Sequence, residues 1–112
     1  MPSALIVDDM SLRARWMESL LDDMGWQHWR TTASDDALPR ADITLVALVP
    51  ERGNGFELAT ELSVKGCQRI WLMSDQPGDT DTLWARALGL EGILRIPGPV
   101  EPLRNALLTI AG

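Results

Sequence analysis

Short apolar runs and amphipathic stretches alternate along the whole chain. The first run, residues 4–7, is Ala4, Leu5, Ile6 and Val7, with no polar position among them. That suits a strand buried on both faces. The period then changes. Leu12, Trp16, Leu20 and Met24 recur every four residues, Met17 and Leu21 widen the stripe, and Arg13, Arg15, Glu18, Asp22 and Asp23 fall largely opposite. This predicts an amphipathic helix over 11–24, with Ser11 as its N-cap and Gly25 as its stop. Residues 27–33 are made polar by Arg30, Thr31 and Thr32 and read as an edge strand or its neighbour. Ser34-Asp35-Asp36-Ala37-Leu38-Pro39 leaves room for one helical turn, capped by Ser34 and ended by Pro39. Residues 43–49 contain no charge, which points to a central strand covered on both sides.

The second half repeats the alternation. Pro50-Glu51-Arg52-Gly53-Asn54-Gly55 is a turn-rich loop. A helix over 56–65 follows, with Phe56, Leu58, Ala59 and Leu62 as its apolar side and Gly66 as its stop. A strand over 69–73 ends at Ser74-Asp75, Pro77-Gly78-Asp79 punctuates, and a helix over 80–88 is closed by Gly89. A short strand over 92–96 meets Pro97-Gly98-Pro99, and Leu103, Ala106, Leu107 and Ile110 mark the buried stripe of a last helix over 101–110. Strands alternating with helices form a parallel sheet with helices on both faces, reached by right-handed crossovers. The expected fold is therefore α/β and flavodoxin-like: a doubly wound, five-stranded parallel sheet in the order 2-1-3-4-5, its second helix very short or missing. In that order a site lies at the switch between strands 1 and 3. The sheet face beneath the short crossover is either exposed, and free to dock a partner or another copy, or covered by side chains of neighbouring elements.

Composition narrows the functional classes. The 112 residues, 46% hydrophobic and 23% charged, suit one domain spanning 1–112 with a real core. Met1 and a full last helix suggest a self-contained unit. A net charge of -6 without a basic cluster argues against nucleic acid as a partner. One cysteine, Cys67, excludes an internal disulfide and a cysteine-based zinc site and fits a reducing cytoplasm. One histidine, His28, leaves little material for histidine chemistry and reads as a solvated strand residue. No apolar run reaches the length of a membrane span, and the start lacks a basic-then-apolar leader.

The candidate chemistry starts at Asp8 and Asp9, two adjacent carboxylates at the end of the first strand. Such a pair faces water, a cation or a metal, because two acids side by side repel and are costly to desolvate. The ends of strands 3, 4 and 5 would bring Ala47 to Val49, Ser74 and Ile96-Pro97 to the same crevice. With these pieces in order, the chain resembles the receiver domain of bacterial response regulators, of the single-domain chemotaxis type. The resemblance is carried by Leu5-Ile6-Val7-Asp8-Asp9, Pro50 with Gly55-Phe56-Glu57-Leu58, Leu72-Met73-Ser74, and the stretch from Ala87-Leu88-Gly89 to Arg95-Ile96-Pro97. It implies signalling by transfer of a phosphoryl group from a histidine kinase to an aspartate at the end of strand 3, with magnesium at the acidic pair.

Two working positions depart from that pattern. The phosphoacceptor position falls on Ala47, and the active-site lysine position falls on Ile96. Pro50 sits one residue early, but no shift of register brings a carboxylate into residues 43–49, and a methyl group cannot attack phosphorus. The aromatic switch position falls on Ile93, while the hydroxyl after strand 4 is kept as Ser74. Losing lysine and acceptor together avoids stranding a buried charge, which costs on the order of 3–5 kcal/mol. Asp8 and Asp9 then read as a retained relic or as a solvated pair that starts a helix, holding magnesium weakly at most, with no other cofactor. No catalytic residue is expected.

The tryptophans bear on partners. Trp16 and Trp71 lie on apolar stripes and are expected in the core, Trp26 and Trp29 flank the polar second strand, and Trp84 lies on the helix over 80–88. Trp84 and Trp29 are the interface candidates. The favoured reading is a pseudo-receiver that works without phosphorylation. It would bind a signalling protein (a histidine kinase, a cyclase, a transcriptional or motility component) or itself, through the face formed by residues 80–110 or over the short crossover. The alternative is a conventional phosphorelay receiver whose acceptor has moved to Asp8, Asp9, Glu51 or Asp75. A remote third is a flavin- or nucleotide-binding protein, which the acids of the first loop disfavour, since they repel phosphate.

Overall fold

The computed structural model describes residues 2–32, 38–50 and 53–111. The elements run β1 (Ser3–Val7), α1 (Ser11–Asp23), β2 (Gln27–Thr31), β3 (Ile43–Ala47), α2 (Gly55–Val64), β4 (Ile70–Ser74), α3 (Asp79–Ala87), β5 (Gly92–Arg95) and α4 (Val100–Ala111). All five strands are parallel and lie in the order β2-β1-β3-β4-β5. The flavodoxin-like order expected from the alternation is the one formed. Between β2 and β3 no helix is present among the described residues. The expected helical turn falls mainly on Ser34, Asp35, Asp36 and Ala37, which lie outside them, and Leu38 to Arg40 are irregular.

β1 and β3 are buried along their full lengths, as charge-free runs in the middle of a two-sided sheet must be. Successive side chains alternate between two apolar clusters. Ile43, Leu45 and Ala47 join Ala14 and Met17 of α1 and Leu103 and Leu107 of α4 on one face. Val46 joins Ala59 and Leu62 of α2 and Ala85 of α3 on the other. At the amino-terminal edge Ser3 and Asp42 fasten β1 to β3 reciprocally. The Ser3 backbone N–H donates to the Asp42 carboxylate at 2.8 Å, and the Asp42 N–H donates to Ser3 Oγ at 3.0 Å. Gly25, Gly66 and Gly89 each take positive φ just past a helix, as the stop signals required.

Three expectations are corrected. Leu12 is 77% exposed, so it is not part of the buried stripe of α1, which consists of Ala14, Met17, Leu20 and Leu21. A four-residue repeat overshoots the helical turn by about 40° per step, so a row running from residue 12 to residue 24 winds off the sheet. Ser11 does not cap α1; Met10 occupies the cap, and its N–H is taken by the Asp8 carboxylate at 2.9 Å. His28 is half-buried and held between α1 acids, with Nε2 hydrogen-bonded to Asp22 at 2.7 Å. Of the two alternatives for the sheet face beneath the short crossover, the covered one holds. Leu5 and Val7 are buried, and Trp29, Leu38 and Ala41 pack on their cluster.

Candidate functional site

The carboxyl ends of β1, β3, β4 and β5 bring together the residues singled out above. Asp8 follows β1 directly, and its N–H donates to the Thr31 carbonyl of β2, so the backbone fixes its place at the switch point. Its side chain is fully buried and forked by Arg13: Nε donates to Oδ2 at 2.5 Å and an Nη donates to Oδ1 at 2.8 Å. Asp8 is therefore not solvated, which corrects the expectation for the pair. Asp9, by contrast, is half-buried. The same Nη of Arg13 reaches across to the Val49 carbonyl, just past β3, at 3.3 Å. The guanidinium pKa is raised, first by the hydrogen bond with Asp8 and further by the charges of Asp8, Asp9 and Asp75, while burial works against it.

Ala47 and Ile96 are both fully buried and share one apolar cluster with Ile6 and Met73. The space at the end of β3 is packed hydrocarbon. It is also roofed by backbone: Gly55 at the start of α2 donates its N–H to the Leu48 carbonyl at 3.1 Å. A Cβ on Gly55 would lie 2.3 Å from the Ala47 carbonyl oxygen, so only glycine permits this approach. Asn54 holds the turn by capping α2, its Oδ1 accepting from the Phe56 N–H at 2.8 Å.

The remaining positions form a looser rim. Ser74 is half-buried, and its hydroxyl accepts a 3.3 Å hydrogen bond from the Gln76 N–H. Asp75 is exposed, and its backbone carbonyl accepts from Arg95 Nε at 3.2 Å. Ile93 is half-buried against the α2 and α3 cluster, on the face opposite to Ala47 and Ile96. Glu51 lies outside the described residues. Trp84 is 56% exposed on α3, beside exposed Leu83 and Leu88. Trp29 is half-buried and packs against the cluster that holds Leu5 and Val7. Trp16 and Trp71 pack on the α1 and α4 cluster while remaining half-buried, and Trp26 is buried in it.

Comparison with solved structures places this architecture. The chain matches the non-phosphorylated HemR receiver domain from Leptospira biflexa with a TM-score of 0.82 and 20% identity, covering 98% of this chain and 94% of that one. A two-component response regulator from Clostridium difficile matches with a TM-score of 0.81 and 18% identity, over 99% and 96% of the two chains. The chain has the receiver-domain fold. A third neighbour, at a TM-score of 0.78 and 17% identity over 99% and 98%, is the receiver domain of a sensor histidine kinase from Pseudomonas aeruginosa, with magnesium coordinated in its active-site cleft. No family model and no curated protein sequence matches the chain.

The receiver fold implies magnesium, and the donors here do not fit it. Both Asp8 oxygens and the Val49 carbonyl are taken by one guanidinium. β3 ends on the methyl of Ala47 and adds no carboxylate. Among the described residues no group of three or more His, Cys, Asp or Glu side chains could hold a metal ion. Magnesium binds through carboxylates and demands near-octahedral oxygen geometry, so a preoccupied pair of donors is a poor start. Arg13 is the residue that the hydropathy pattern missed. It lies one turn before Met17, within about 40° of it around the helix, which puts it at the border of the buried stripe. An arginine there, just after a buried acid, was the available signal.

Proposed function

We propose that this domain is a pseudo-receiver: a protein interaction module of a two-component-type signalling pathway that works without taking a phosphoryl group. One observation carries the reading. The place of a phosphoacceptor is Ala47, fully buried with Ile96 in one apolar cluster, so there is neither a nucleophile nor a lysine to answer its charge. The pair is repacked as hydrocarbon, which removes the need to bury two charges. Asp8 is no substitute acceptor, because both its oxygens are engaged by Arg13 and it is closed off from solvent.

The binding surface in this reading is the outer side of α3, with β5 and α4 beside it. Leu83, Trp84 and Leu88 stand exposed there, and an exposed tryptophan within an apolar patch is a favoured interface anchor. The partner is a signalling protein of the same pathway, a histidine kinase among the candidates, or a second copy of this chain. The site of action is the cytoplasm, and the 112 residues act as one domain. Among the described residues no helix is long and apolar enough to cross a membrane. The test is incubation with labelled acetyl phosphate and magnesium, followed by mass spectrometry. No aspartyl phosphate is expected. A stoichiometric phosphoryl group on Asp9 or Asp75, lost when that residue is changed to alanine, would overturn the reading.

A further inference from the structure

We propose that the Arg13 guanidinium is a tethered cation that takes the place of a divalent ion in this fold, closing the acidic pocket and holding the β3–α2 loop to α1. The proposal stands apart from whether the domain binds a partner, since it concerns only the inside of the site.

Three observations converge on one group. The guanidinium forks the Asp8 carboxylate at 2.5 and 2.8 Å, and that side chain is 0% exposed while Arg13 retains 13%. The same group donates to the Val49 carbonyl at 3.3 Å, so it bridges the ends of β1 and β3. A bridging cation between a carboxylate and a main-chain carbonyl is what a bound metal would provide at that point. The charges of Asp9 and Asp75 act on the same guanidinium, so the negative field of the rim converges there as well. Asp8 is held from a further side by the Met10 N–H at 2.9 Å, which leaves its carboxylate fully engaged by groups of the chain itself.

An ion held by a bond to its own helix differs from a dissolved one. It has no association entropy to overcome and no dependence on free magnesium, and a divalent ion entering must first displace a bidentate charge-assisted pair. The loop carrying Val49 is then held in one position at every magnesium concentration.

The experiment compares wild type, Arg13→Gln and Arg13→Lys by Mn²⁺ and Mg²⁺ titration, read by thermal melting and by electron paramagnetic resonance of free Mn²⁺. Wild type is expected to show no response up to about 10 mM of either ion. Arg13→Gln frees Asp8 and the Val49 carbonyl, and its Mn²⁺ affinity is expected to rise by at least about tenfold. Arg13→Lys keeps a cation but not the fork, and its Mn²⁺ affinity is expected to fall between those of wild type and Arg13→Gln. A submillimolar magnesium response of the wild type overturns the proposal whatever the variants do. So does an Arg13→Gln protein that folds and responds to Mn²⁺ no better than wild type.

Discussion

Arg13 and Asp8 show how much one contact decides at this site. Asp8 has no solvent to fall back on, so removing its partner leaves a buried, uncompensated charge. Arg13→Met is expected to destabilise the domain by about 3 kcal/mol in urea denaturation. Asp8→Asn keeps an acceptor for the Met10 N–H but strands the guanidinium, and should cost a similar amount. The double variant removes both charges and is expected to recover about 2 kcal/mol of the summed loss. Strict additivity of the two single changes would show that the pair contributes nothing. The arginine half brings no titration of its own near neutral pH. Its pKa is raised in the folded state, so its contribution is complete below the ordinary arginine value and fades only as pH climbs past the raised one. Ala47 and Ile96 reach a stable arrangement at the neighbouring strand ends by the opposite route, with no charge to compensate.

At the scale of elements, β2 and α3 divide the tryptophans. β2 is an edge strand held on one face by α1, through His28 and Arg30 to Glu18 and Asp22, while the crossover to β3 supplies no helix among the described residues, and Trp29 packs on the cluster that holds Leu5 and Val7. α3 buries Ala85, in one cluster with Leu90, and leaves Leu83 and Trp84 largely exposed. Two substitutions of the same type should therefore behave differently. Trp29→Ala is expected to cost about 2–3 kcal/mol, since it opens space against the core. Trp84→Ala should change stability by less than about 0.5 kcal/mol while abolishing capture of the partner, or self-association seen by light scattering. Thermal melts and a pull-down from the native cell, run on both proteins, separate the two effects.

On the two proposals made above, the whole molecule is a receiver fold held in one state. Receiver-like switching needs a group at the end of β3 whose charge changes, a cation to accompany it, and a loop free to follow. Here the first position is hydrocarbon, the second is occupied by Arg13, and the loop is fastened at Val49 and roofed by Gly55. Beryllofluoride with magnesium, which mimics an acyl phosphate, should leave the tryptophan fluorescence flat through millimolar concentrations. A saturable change in fluorescence would restore the conventional receiver with a relocated acceptor.

The alternation of runs pointed to five parallel strands in one sheet, because burial on both sides demands charge-free strands and crossovers demand helices between them, and the acidic end of the first strand pointed to their order. The absence of any carboxylate from residues 43–49 and the isoleucine at position 96 were equally legible, and the pseudo-receiver proposal rests on them. Only the tertiary structure decided what the acids do. Arg13 and Val49 are 36 positions apart and meet because β1 and β3 are neighbours, a relation of distance that periodicity does not encode. The cover over Leu5 and Val7 and the separate fates of Trp29 and Trp84 follow from the same cause. Hydropathy states what a side chain prefers, and the packed neighbour decides whether it gets it.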